Sequence, residues 1–144
     1  MSESGGSVAT FRLLLLTVLG QALGAAGYLL DEEPVSEAAG RFRFLPADNA
    51  AADSRIELQV LAGTSSEWAP QMPSRFRVTL FRQGVERPLA ALVVQDFGVE
   101  ILPSAEHWWS WRDSVELGAA LAEAGHLLVG FGIPWLKGEL EPPT

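Results

Sequence analysis

The 144-residue chain has no cysteine. That excludes a disulfide framework, a thiolate metal centre and a cysteine nucleophile, and it leaves the redox compartment unmarked. Histidine is nearly absent too, with only two residues, His107 and His126. They lie nineteen positions apart, without the H-x-H or H-E-x-x-H spacing that places two imidazoles on one metal. No metal or cofactor is expected. Basic residues are outnumbered, ten against eighteen acidic ones, for a formal charge of -8. Nucleic-acid binders release counterions through basic patches, so this balance argues against nucleic acid as a partner and against attraction to an anionic lipid surface.

Catalytic signatures are missing as well. Ser110, either histidine, and Asp96 or Asp113 make a triad on paper, but no G-x-S-x-G elbow presents a serine. Gly130-Phe131-Gly132 lacks the third glycine and the following helix of a dinucleotide loop. The expectation is a protein that is not an enzyme.

What the sequence does have begins at its amino end. Leu13 to Leu30 reads LLLLTVLGQALGAAGYLL, eighteen residues without a charge. Extended back to Val8, the run is long enough to cross a hydrocarbon core of about 30 Å as a helix. A single-pass membrane helix over residues 8–30 is the expectation, after a flexible 1–7. A cleaved signal peptide competes with it, because Ala22-Leu23-Gly24 and Gly24-Ala25-Ala26 resemble small-residue cleavage sites. A buried core helix is the third reading. Arg12 precedes the run and Asp31-Glu32-Glu33 follows it, so the bulk of the chain is placed on the exported side, periplasmic, extracellular or lumenal. Gly20 and Gly24 form a GxxxG pair suited to packing against a partner helix.

Beyond it the pattern turns to strands. Residues 31–52 read as a polar linker enclosing the short alternation Arg41-Phe42-Arg43-Phe44. In SRIELQVLAG, Ile56, Leu58 and Val60 alternate with Arg55, Glu57 and Gln59. In SRFRVTLFRQG, Phe76, Val78 and Leu80 alternate with Arg75, Arg77 and Thr79. Gln83-Gly84 predicts a turn. The apolar run Ala90–Leu102 predicts two strands broken near Asp96–Gly98, and Gly125–Ile133 predicts another. Asp113–Leu117 opens either a strand or a capped helix. The loop 63–74 carries Trp68 among polar residues and prolines.

Several short strands at close spacing point to a mainly β protein: after the membrane helix or signal, residues 53–144 form a small antiparallel β-sandwich of about seven strands. The phrase ALAEAGHLLVGF resembles the penultimate strand of an immunoglobulin-like domain, without the cysteines or corner tyrosine of antibody domains. The resemblance is architectural.

The densest feature is EHWWSWRD, Glu106 to Asp113, with three of the five tryptophans. In an extended chain Trp109 and Trp111 share one face and Trp108 and Ser110 the other; in a helix Trp108 and Trp111 come together. Trp108, Trp109, Trp111 and Arg112 are the candidate interface, since Trp and Arg dominate binding hot spots. The functional expectation is a non-catalytic accessory or assembly subunit of a larger membrane protein complex, touching protein partners and the lipid bilayer. The alternative is an exported module that binds a small molecule or glycan on a tryptophan platform.

Overall fold

A computed structural model of the chain describes residues 3–48, 53–66 and 69–143. Trp68 lies outside them. An open antiparallel sheet of six strands carries a layer of helices on one face. In chain order the elements are α1 (Glu3–Val18), α2 (Gly20–Ala25), β1 (Tyr28–Leu30), α3 (Pro34–Ala38), β2 (Arg41–Pro46) and β3 (Ser54–Leu61). A hairpin arm of β4 (Thr64–Ser66) and β5 (Ala69–Met72) follows, then β6 (Ser74–Arg82), β7 (Val85–Pro88) and α4 (Leu89–Ala91). Last come β8 (Trp109–Trp111), α5 (Ser114–Leu127) and α6 (Ile133–Leu136). The sheet order is β1-β2-β3-β6-β7, and β8 pairs with the other end of the β6 edge that β7 uses.

Alternation in three strands sets the two faces. Phe42 and Phe44 of β2, Ile56, Leu58 and Val60 of β3, and Phe76, Val78 and Leu80 of β6 are all buried. The intervening positions turn to the other side. The Gln83-Gly84 turn appears as expected: both residues have positive φ, 49° and 80°, the geometry that matches the twist of a two-residue hairpin.

Residues 8–30 do not form one helix. The chain is helical to Val18 and again to Ala25, turns at Gly27, whose φ of 93° suits glycine, and enters the sheet as β1. Phe11, Leu15, Leu19 and Leu23 recur every four residues, the spacing of one helix face, and all four are buried in the core. The apolar run is thus a layer of the domain, the third of the three readings. Arg12 and the acidic residues beyond the run lie on the same side: Arg12 binds Glu37 at 2.8 Å and Glu32 at 3.0 Å. Charges that looked like markers of opposite membrane surfaces are ion-pair partners that tie α1 to the segment around α3.

The second layer of the expected sandwich is helical. The first of the two strands expected over Ala90–Leu102 is helical instead: Leu89–Ala91 forms α4 and Leu92–Asp96 a π-helical turn, with Leu89 to Val93 buried without interruption. A continuous apolar run fits a buried helix as well as a buried strand. Gly125–Ile133 is also helical: α5 continues through a π turn, Leu128–Gly132, into α6. Leu127, Leu128, Gly132 and Ile133 are buried while Val129 and Gly130 face solvent, a helical rather than a two-residue rhythm. Ser114–Leu136 is the one described helix long and apolar enough to cross a membrane by length and composition, and it packs on α1 and β8.

α5 approaches the junction of α1 and α2 at Gly125, where a Cβ would run into the tip of the Leu19 side chain. The expected packing pair is different: a Cβ on Gly20 or Gly24 would meet only Leu16 or Leu29 within the same segment, at 3.8 and 4.0 Å, ordinary contact distances.

Candidate interaction surface

The tryptophan cluster is extended, and its three rings divide as an extended chain requires. β8 pairs with β6 in the register Phe76↔Trp109 and Ser74↔Trp111. Trp109 and Trp111 therefore share the core face with Phe76, and both are buried. The Trp109 ring stacks on Phe76 at 5.4 Å, His107 meets it edge-on at 4.8 Å, and its Nε1–H donates to Glu123 Oε1 at 2.7 Å. Trp111 stacks on Phe11 at 5.6 Å, which joins β8 to α1. These two rings are structural, and of the cluster's tryptophans Trp108 alone lies outside the core face among the described residues.

Arg112 precedes the cap of α5 and pairs with its first turn. Asp113 is the N-cap of α5 and its carboxylate accepts from the Glu116 amide at 2.8 Å, as an N-cap acid does. Glu116 in turn accepts from the Arg112 amide at 2.8 Å and pairs with its guanidinium at 2.9 Å. The exposed pair holds the Glu116 carboxyl below its ordinary value, first through the Arg112 side-chain hydrogen bond.

Trp108 is the ring that works outward. It stands one position before the β8 ladder and is half-buried on the open face, with the guanidinium groups of Arg77 and Arg75 at 4.9 and 5.3 Å from its ring centroid. Cations sit favourably over indole, which has the strongest π-face attraction of the side chains. Arg77 Nε also donates to Gln59 Oε1 at 3.1 Å. Neither Arg75 nor Arg77 has an ion-pair partner among the described residues.

The rest of the open face follows from register. Arg41 lies beside Gln59, and Gln59 beside Arg77; Arg43 lies beside Glu57, and Glu57 beside Thr79; Arg55 lies beside Phe81. Glu57 is largely covered and shared, with Arg41 at 3.0 Å and Arg55 at 4.0 Å. The Arg55 guanidinium lies 3.8 Å from the Phe81 centroid. The face is thus a lattice of arginines interleaved with Gln59, Phe81 and Trp108.

The paper triad does not assemble. Asp96 is engaged by Arg87 at 2.6 Å, Asp113 caps α5, and His107 packs on Trp109, where burial lowers its pKa. Among the described residues no three of His, Asp and Glu gather as a metal site.

The signal for the arginine face was present in RFRF, SRIELQ and SRFRVT, where arginine takes the non-core position of each alternation. What single strands could not display is that β2, β3 and β6 are immediate neighbours. Comparison of the chain with known protein families, curated proteins and solved structures finds no match.

Proposed function

We propose that this protein works without catalysis, as an accessory subunit that docks a partner protein on the open face of its sheet, with Trp108 at the centre of the contact. The observation that carries the reading is Trp108 itself: an indole held on an accessible sheet face against two guanidinium groups that no described carboxylate neutralises. Trp and Arg are the residue types whose truncation costs most binding energy at interfaces, because they combine large apolar area with directed polar contacts. The open face departs from a purely solvated surface in the same way, since its guanidinium groups lie over Phe81 and Trp108. Trp108→Ala removes the ring without opening the core. Native purification in mild detergent followed by mass spectrometry is expected to show companions with the wild type and to lose them with this variant. A wild type that comes alone, or companions that persist with Trp108→Ala, overturns the reading.

A second reading retains the membrane complex. Its support is the outer side of the helical layer: Leu13, Thr17, Gln21 and Ala22 are exposed, and no charge interrupts the chain between Arg12 and Asp31. In this reading that side rests on lipid or on a partner's apolar helix, and an exported location belongs to it. Flotation with zwitterionic liposomes tests it: recovery with the vesicles, lost on Leu13→Lys, supports it, and recovery in the aqueous fraction overturns it. A glycan ligand retains only Trp108 as its platform, which makes it the weaker alternative.

A further inference from the structure

The open face has a charge opposite to that of the molecule. Arg41, Arg43, Arg55, Arg75 and Arg77 all take the non-core positions of β2, β3 and β6. Half of the chain's ten basic residues therefore share one sheet face, against two of its eighteen acidic residues, Glu57 and Glu86. Glu57 is already committed to Arg41 and Arg55. Of the five, Arg43, Arg75 and Arg77 have no ion-pair partner among the described residues, and the last two lie against the Trp108 ring.

We infer that the occupant of this face is an extended acidic segment of the partner protein, with carboxylates at alternate positions; the inference rests on the docking role proposed above. Arg75 and Arg77 are two residues apart on one strand and so about 7 Å apart along it. An extended chain laid over the open face along β6 repeats its own side chains at the same interval, so carboxylates at i and i+2 meet the two guanidinium groups in step. Arginine suits this task because its planar fork donates two parallel hydrogen bonds to one carboxylate. Trp108, against both guanidinium groups, adds apolar area to the same contact. Single-stranded nucleic acid is the competing polyanion, since indoles stack bases. Glu57 at the middle of the face and the -8 charge of the whole chain oppose a continuous phosphate backbone more than a short run of carboxylates.

The test uses the full chain and four labelled probes: short peptides of alternating Glu and Thr, Gln and Thr, or Lys and Thr, and an oligothymidylate of similar length, each followed by fluorescence anisotropy. The Glu peptide is expected to bind, to weaken with added salt, and to lose about tenfold or more in affinity when Arg75 and Arg77 are both changed to Glu. Circular dichroism and the melting temperature check that the double variant stays folded. Arg75→Gln with Arg77→Gln supplies a milder form if it does not. Binding of the Gln peptide as tightly as the Glu peptide, lost on Trp108→Ala, overturns the acidic specificity and leaves the docking role standing. Preference for the Lys peptide overturns the acidic specificity as well. Failure to bind any probe overturns the inference, and the native purification then decides the docking role separately. Tighter binding of oligothymidylate overturns both.

Discussion

The two faces of one strand, β6, show how a single alternation serves two purposes. Phe76, Val78 and Leu80 face the helices and are almost fully covered; Arg75, Arg77 and Thr79 face the other way and are half-buried or exposed. Burial decides the first set, since each apolar side chain removed from water contributes about 1.5–3 kcal/mol. Charge and aromatic contacts decide the second, and they act on whatever approaches from outside. The same division runs through β8, where Trp109 and Trp111 belong to the first face and Trp108 to the second. Neighbours in sequence therefore differ in role more than residues far apart on the same face.

That contrast breaks if a change to the core face is tolerated. Phe11 touches Phe42, Phe76 and Trp111 with ring centroids 5.3–5.6 Å apart. Phe11→Ala is expected to cost about 3–5 kcal/mol of unfolding free energy in urea, as large-to-small core changes do. A loss below about 1 kcal/mol would mean that α1 is not a layer of the core. Gly125→Val forces a branched side chain into Leu19, and about 1–3 kcal/mol of destabilisation is expected from overpacking, read from the same denaturation curves. A smaller but comparable loss, about 1–2 kcal/mol, is expected for Glu123→Leu, which leaves the Trp109 indole N–H without its acceptor. On the open face, Arg77→Ala should change stability by less than about 1 kcal/mol.

Acidification sharpens the comparison. Burial lowers the pKa of His107, so the folded chain binds fewer protons there than the unfolded chain, whose imidazole titrates near 6.5. The stability from this group is complete above 6.5 and is lost as the pH falls through the folded value. Glu116, lowered by Arg112, and Glu141, lowered by Arg82, follow the same sign in a later window below 4.5. Melting temperatures across pH should show the earlier step vanish in His107→Asn and the later one shrink in Glu116→Gln. A pH profile unchanged in both variants would contradict these assignments.

How much of this was legible in the sequence depended on whether a segment carried its own periodicity. The β3 and β6 alternations and the Gln83-Gly84 turn follow from local patterns that the structure obeys, whereas Trp108 to Trp111 fitted a strand or a helix until pairing with β6 decided it. The apolar runs carried no such information. Leu13–Leu30, Leu89–Val94 and Leu127–Ile133 are uncharged on every side, so composition is compatible with a membrane span, a strand or a buried helix. Only the partners decide: Leu23 and Phe11 against the sheet, Leu89 under β6, Gly125 against Leu19. The recurrence of Phe11, Leu15, Leu19 and Leu23 was the one internal sign that the first run has a preferred face. Arg112 pairs with Glu116 in the first turn of α5 and keeps an exposed side chain. The arginine face was visible strand by strand, and strand order made it a surface.

The central claim is that Trp108 docks while its neighbour Trp109 holds the core. The most direct test measures stability and affinity for the alternating Glu–Thr peptide on the same preparations of Trp108→Ala and Trp109→Ala. The account predicts that Trp108→Ala unfolds within about 1 kcal/mol of the wild type yet loses most of its peptide affinity, whereas Trp109→Ala loses about 3–5 kcal/mol of stability. Undiminished peptide binding by a folded Trp108→Ala protein, or equal destabilisation by the two changes, would contradict it.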